Sequence, residues 1–245
     1  MQALMIEMLQ NPDYVADLTV RMAHHNTAIE GNTLTQDETA SIILNGIIPK
    51  QMNEREFYEV KNYQHIIPFM LKCLDENRNI DNELMKEVHS ILMDKLIYNK
   101  GQFKQTQNMI VGATFDTTEP YLVPSELKDW CDNLSYRLQN AQNDDDKLKI
   151  ILDQHIKFER IHPFSDGNGR VGRFLMFYAV VQNGLTPFTI TKQSKDLYIH
   201  CLRNKDVLGL FELCQQLQQT ELSIIEKLSL VDNEVSIEYD NDIDR

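Results

Sequence analysis

Helical periodicity runs through almost the whole chain, and residues that would interrupt it are scarce. Only 9 glycines and 7 prolines occur among 245 residues, too few punctuation marks for a turn-rich β architecture. Tyr14 to Met22 alternates apolar and polar residues with helical spacing. Thr35-Gln-Asp-Glu38 has capping-box spacing and opens a second helix, which runs through Ile42, Ile43 and Leu44 and stops near Asn45-Gly46. Over residues 54–74, Phe57, Val60, Ile67 and Leu71 keep one face dry, and Pro68 is expected to bend or break the run. The same spacing predicts helices over 81–97, 124–140, 146–161, 168–183, 193–202 and 206–230. The expected fold class is therefore all-α.

One stretch departs from this rhythm. Residues 101–124 are rich in Thr, Val, Ile, Phe and Tyr, with Gly112 and Pro120 as punctuation, which reads as a short β-hairpin. The last residues, 231–245, carry Asp232, Glu234, Glu238, Asp240, Asp242 and Asp244 and read as a frayed, disordered acidic tail. Residues 1–230 thus form one expected domain. The first nine residues are apolar but include Glu7 and lack a basic flank, so they read as the start of a helix and not as a signal peptide.

The net charge of −13 argues against nucleic acid or an anionic membrane as partner. No apolar run approaches the roughly 20 residues that span a bilayer. Cys73, Cys131, Cys201 and Cys214 form no CxxC pair and no zinc spacing, so free thiols in a reducing, cytoplasmic setting are expected.

Chemistry concentrates in His162-Pro-Phe-Ser-Asp-Gly-Asn-Gly-Arg-Val-Gly-Arg173. One helix ends near Ile161 and another begins around Gly167–Gly169. The turn Gly167-Asn168-Gly169 at a helix start offers several backbone N–H groups pointing one way, and the helix dipole adds to them. Arg170 and Arg173 lie one turn apart, where guanidinium groups can hold phosphate oxygens. Asp166 is the one carboxylate in the group, suited to Mg²⁺ shared with substrate phosphates. His162 can serve as a general base near neutral pH. Any one of these residues could be structural, but a base, a metal ligand, an anion-binding turn and paired arginines within twelve residues are not a set of accidents.

This segment resembles the Fic family motif HxFx[DE]GNGRxxR at each defining position. The resemblance implies a Fic-type helical bundle with a small β-hairpin flap, and a protein adenylyltransferase that moves AMP from Mg²⁺·ATP onto a Ser, Thr or Tyr hydroxyl of a target protein, or of itself. It implies His162 as the base, Asp166 on the metal, Gly167, Asn168 and Gly169 as the anion hole, and Arg170 and Arg173 on the β- and γ-phosphates. Phe164 would pin the loop by packing. The stretch from Gln107 to Gly112 resembles the family's flap, with Ile110, Val111 and Gly112 docking an extended target segment by strand addition. Lys192 to Tyr198 resembles the region that closes over adenine, with Tyr198 as the stacking residue. Relatives often pair through helical surfaces, so a homo-oligomer is compatible with the resemblance.

A second motif stands near the N-terminus. Asn26-Thr-Ala-Ile-Glu30-Gly31 resembles the family's inhibitory helix, [ST]xxxE[GN], expected here around residues 20–32, except that Asn26 replaces the Ser or Thr. In that pattern the glutamate pairs with the second motif arginine, here Arg173, and blocks the γ-phosphate. His24 and His25 then read as a polar rim of this helix. Other family reactions stay open: transfer of UMP or phosphocholine, phosphorylation, or removal of AMP. A His-Asp phosphohydrolase is disfavoured because no histidine precedes an aspartate. A non-catalytic regulator is disfavoured because His162 and Asp166 are both retained.

Overall fold

The computed structural model describes residues 8–110 and 115–243, with side chains described through residue 228. In chain order its helices are α1 (Pro12–Ile29), α2 (Gln36–Asn45), α3 (Glu54–Lys61), α4 (Tyr63–Asp75), α5 (Asn82–Leu92), α6 (Val123–Gln139), α7 (Asp144–Ile161), α8 (Asn168–Gln182), α9 (Lys195–Asn204) and α10 (Val207–Ile243). The chain is all-α, as its periodicity requires. No helix among the described residues is long and apolar enough to cross a membrane.

Local chemistry sets most of the helix starts. Asn11, Thr35, Asn53, Asp81 and Asn143 each accept a bond from a backbone N–H in the first turn of the helix they precede. At Thr35 the reciprocal bond from Thr35 N–H to Glu38 completes the capping box read from the sequence. Gly46 ends α2 in the left-handed region, φ 67°, which a residue without Cβ adopts at little cost.

α8 is the axis of the molecule, buried from Arg170 to Val180 without a break. α7 packs along one side and α1, α4 and α5 along the others, while α6 and α10 flank α7. Several buried polar groups tie the layers together. Trp130 Nε1 donates to Gln154 O at 2.8 Å, and Tyr178 Oη donates to Arg78 O at 2.5 Å. Tyr14 Oη and the Arg21 guanidinium both meet the buried Glu221 carboxylate at 2.7 Å, joining α1 to α10. Cys73, Cys201 and Cys214 are buried and Cys131 half-buried, all as free thiols.

Two expectations give way. The helical run over 54–74 divides at Asn62, whose side chain donates to Leu92 O and Asp94 O, and not at Pro68. Pro68 sits exposed inside α4, where its ring costs the helix one backbone bond without ending it. The hairpin read over 101–124 shows no strand among its described residues. Side chains hold this loop instead: the buried Lys104 ammonium donates to Asn108 Oδ1 at 2.7 Å and Thr117 Oγ1 at 2.9 Å. α10 runs through residues 231–243 of the acidic end, and residues 244–245 lie outside the described residues. After Gly209 no glycine or proline interrupts α10, and extending a nucleated helix is far easier than starting one. The N-terminal reading of residues 1–7 lies outside the described residues.

Candidate active site

The reactive loop connects the end of α7 to the start of α8. His162 caps α7 in the left-handed conformation (φ 52°, ψ 60°), an uncommon setting for a non-glycine residue that turns its imidazole out of the helix. His162 Nδ1 lies 3.2 Å from Glu159 O. A carbonyl only accepts, so Nδ1 carries the proton and Nε2 keeps its lone pair. Burial lowers the imidazole pKa below its usual 6.5, and the nearby Lys104 ammonium adds to this. His162 is therefore neutral at pH 7 with Nε2 able to take a proton.

Phe164 is fully buried and stacks on His89 with ring centroids 3.9 Å apart. Asn168 clasps the loop from both sides, accepting from Phe164 N–H and donating to Phe164 O, each at 2.8 Å. Asn168 thus fixes the turn by its side chain. Gly101 N–H donates to His89 Nδ1 at 2.8 Å, which leaves Nε2–H to donate to Asp166 O at 3.0 Å. Burial keeps His89 neutral, its pKa lowered to about 4.

Gly167 begins α8 with φ 78° and no side-chain cap, and a Cβ there would lie 2.5 Å from Met93 Sδ. The first N–H groups of α8 are left for an anion. A carboxylate stands there: a Cβ on Gly169 would lie 2.6 Å from Glu30 Oε1. Glu30 caps the C-terminus of α1 and accepts from Arg173 Nη2 at 2.6 Å. Arg173, 4 % exposed, also donates from Nε to Asn26 Oδ1 at 2.6 Å and from Nη2 to Asn26 O at 3.0 Å. Burial would raise the Glu30 carboxyl, but the Arg173 guanidinium outweighs it and holds the group below the usual carboxylate range.

Asp166 lies at the outer rim. Its Oδ1 accepts from Gly167 N–H at 2.6 Å and its Oδ2 from Arg55 Nη2 at 2.6 Å. Burial pulls its pKa up and the bond from Arg55 pulls it further down, so the carboxylate is favoured. Arg170 is buried, 3.6 Å from Asp166 Oδ1 and 3.5 Å from Glu59 Oε1, and its Nε and Nη1 have no hydrogen-bond acceptor among the described residues. As a donor set for a metal, one partly exposed carboxylate suits Mg²⁺, which keeps waters and shares substrate phosphates. Among the described residues no cluster of three or more His, Cys, Asp or Glu side chains stands ready to hold a metal unaided.

His162, Glu30, Gly169, Arg173 and Ile110 line one cavity of about 460 Å³, with Ile199, Leu202, Lys195 and Arg203 on its far wall. A groove of about 620 Å³ elsewhere, between residues 77–83 and α6, is larger but holds neither a histidine nor an arginine. Volume alone therefore does not select the site. Tyr198 touches the 460 Å³ cavity but is 1 % exposed, its Oη 2.8 Å from His155 Nε2. Its ring lies next to His155 and 6.0 Å from Arg173, while Ile199 and Leu202, only half-buried, offer the same cavity a more open apolar surface. Val111 and Gly112 lie outside the described residues. Four residues escaped sequence reasoning: Arg55, Glu59, Lys104 and Glu159. Glu159 is buried and its pKa is raised to about 7 by burial. None of the four sits in a recognisable motif, and their roles arise from contacts across the fold.

The Fic/DOC family model matches residues 79–180. Protein adenylyltransferase fic-1 of Caenorhabditis elegans is 30 % identical over 178 residues, covering 71 % of this chain and 34 % of that protein. The chain spans about a third of the length of the curated relatives it matches. A Fic domain containing signaling protein from Bacteroides thetaiotaomicron superposes with a TM-score of 0.78 at 19 % identity, covering 91 % of this chain and 93 % of that one. A Fic-1 fragment from C. elegans bearing E274G superposes with a TM-score of 0.73 at 22 % identity, covering 93 % and 73 %.

Proposed function

Because residues 79–180 are a Fic/DOC family domain, we propose that the chain is a protein adenylyltransferase, moving AMP from ATP to a protein hydroxyl and restrained by its own Glu30. The observation that carries this reading is the meeting of His162, the α8 N-terminus and Arg173 around one cavity. The adenylyltransferase names of its relatives agree with it.

His162 Nε2 would accept the proton of a target Ser, Thr or Tyr hydroxyl as its oxygen attacks the α-phosphorus. The bond to the β-phosphate oxygen breaks and pyrophosphate leaves. The N–H groups of α8 and the helix dipole would stabilise charge on the transferring phosphoryl oxygens. Arg173 would hold the γ-phosphate, while Arg170, beneath Asp166, supports the carboxylate and the phosphates next to it. Mg²⁺, held by Asp166 and the phosphates, would supply charge neutralisation. Ile110, which lines the cavity, would with Val111 and Gly112 dock the target chain.

Glu30 opposes this chemistry by holding Arg173 and by standing where a phosphate would meet Gly169. Removal of AMP from a target is the second reading, favoured by the presence of the Glu30 carboxylate and His162 on the same cavity wall. Incubation of the Glu30→Gly variant, with and without His162→Ala, with Mg²⁺ and ATP followed by intact-mass spectrometry tests the proposal. Gain of one AMP by the chain or by an added target, absent in His162→Ala, is the expected result. Loss of AMP from a modified target, without gain, would replace it with the second reading.

A further inference from the structure

Asp166, the residue assigned to the metal, already has a positive partner from another helix. Arg55 on α3 places Nη2 2.6 Å from Asp166 Oδ2, while its Nε is held by Glu59 Oε1 at 3.0 Å one turn along the same helix. The other carboxylate oxygen faces Gly167 N–H and, at 3.6 Å, Arg170. Both oxygens therefore face donors only. Mg²⁺ binds carboxylate oxygen at about 2.0–2.1 Å, and a guanidinium on that same oxygen occupies an acceptor site and repels the ion, so the two compete for Oδ2.

We propose that Arg55 is the resident counter-cation of Asp166, its Nη2 filling the divalent-cation position when the metal is away and turning out of it, with Nε still held by Glu59, when the metal arrives. This rests on the assignment of Asp166 to the metal made above. Geometry favours the exchange. The Arg55 side chain is 52 % exposed, so it can swing into water without leaving a buried charge behind. Glu59 is 7 % exposed on its side chain and anchored by the Asn32 amide at 3.1 Å. It keeps the guanidinium tethered within reach for return. Arg55 lies outside residues 79–180, so the family domain does not supply it. It acts on the metal as a competitor and touches no reacting atom, which makes it a positioning residue.

The test measures Mn²⁺ binding to the full chain by electron paramagnetic resonance with a non-hydrolysable ATP analogue present, for wild type, Arg55→Ala, Arg55→Lys and Asp166→Asn. Thermal melts of each variant confirm folding. An exposed ion pair opposes exchange only weakly, so Arg55→Ala should bind Mn²⁺ roughly two- to fivefold more tightly. Arg55→Lys should stay near wild type, and Asp166→Asn should bind much more weakly. Unchanged or weaker Mn²⁺ binding in Arg55→Ala, with Asp166→Asn weakened, would overturn the inference alone. Unchanged binding in Asp166→Asn would remove the metal assignment and the inference with it. Loss of analogue affinity by Arg55→Ala in excess EDTA would also overturn it, by making Arg55 a phosphate ligand.

Discussion

Two arginine–carboxylate pairs frame the start of α8, and they have the same 2.6 Å separation but different surroundings. The carboxylates are alike, Glu30 36 % and Asp166 39 % exposed on their side chains, but the arginines are not: Arg173 is 4 % exposed and Arg55 52 %. Length does not set the strength of such a pair; burial does. A buried guanidinium that loses its partner is left charged in a medium that solvates it poorly. An exposed one turns to water, and salt screens what attraction remains. Under the proposed function, the inner pair, reinforced by Asn26, would be a fixed restraint on the phosphate site, and the outer pair an exchangeable plug on the metal site.

Four measurements would sharpen or break that contrast. Glu30→Gln should destabilise the fold most, by about 2 kcal/mol in denaturant melts: removing one partner of a fully buried pair costs roughly 3–5 kcal/mol, and the 36 % exposure of Glu30 and the two surviving bonds to Asn26 reduce this. A cost near zero would mean that Arg173 is solvated as Arg55 is. Asn26→Ala removes the acceptor of Arg173 Nε and should cost about 1–2 kcal/mol, the usual penalty for a buried donor left unmade.

Acid should separate the pairs further. Both carboxyls have folded pKa values below their usual 4.5 and 3.8. Their contribution is therefore complete above those values and is lost as pH falls through the lower folded ones. Melting temperature should drop below about pH 4, less steeply in Glu30→Gln than in wild type. Arg55→Ala should have the smallest effect, under about 1 kcal/mol, and the difference from wild type should vanish near 0.5 M salt. A large, salt-insensitive loss would show that the outer pair is structural.

Much of this was legible in the sequence, for a physical reason. Helices announce themselves through local spacing and caps, so the capping box at Thr35 and the run of α8 could be read directly. The segment from His162 to Arg173 was legible because its groups must be neighbours in the chain to meet around one helix start. Arg55 could not be read this way: its partner is 111 residues away, and a charge among the acidic residues of α3 looks like any solvated surface. Asn26 looked like a departure from a pattern, yet its amide oxygen and backbone carbonyl both hold Arg173. The loop over 101–124 misled because its Thr and aromatic residues suit strands, whereas a buried lysine and an asparagine organise it. The burial of Tyr198, 1 % exposed, was illegible for a related reason, since chain position says nothing about how much of a ring is covered.

The measurement that tests the central claim most directly is label transfer from α-³²P-ATP with Mg²⁺, comparing wild type, Glu30→Gly, and Glu30→Gly with His162→Ala. The account predicts faint labelling in wild type, labelling at least tenfold stronger in Glu30→Gly, and a fall of about 10²–10⁴-fold when the base is also removed. Equal labelling by wild type and Glu30→Gly would contradict the inhibitory role of the inner pair. Silence in all three, with ATP bound, would contradict AMP transfer itself.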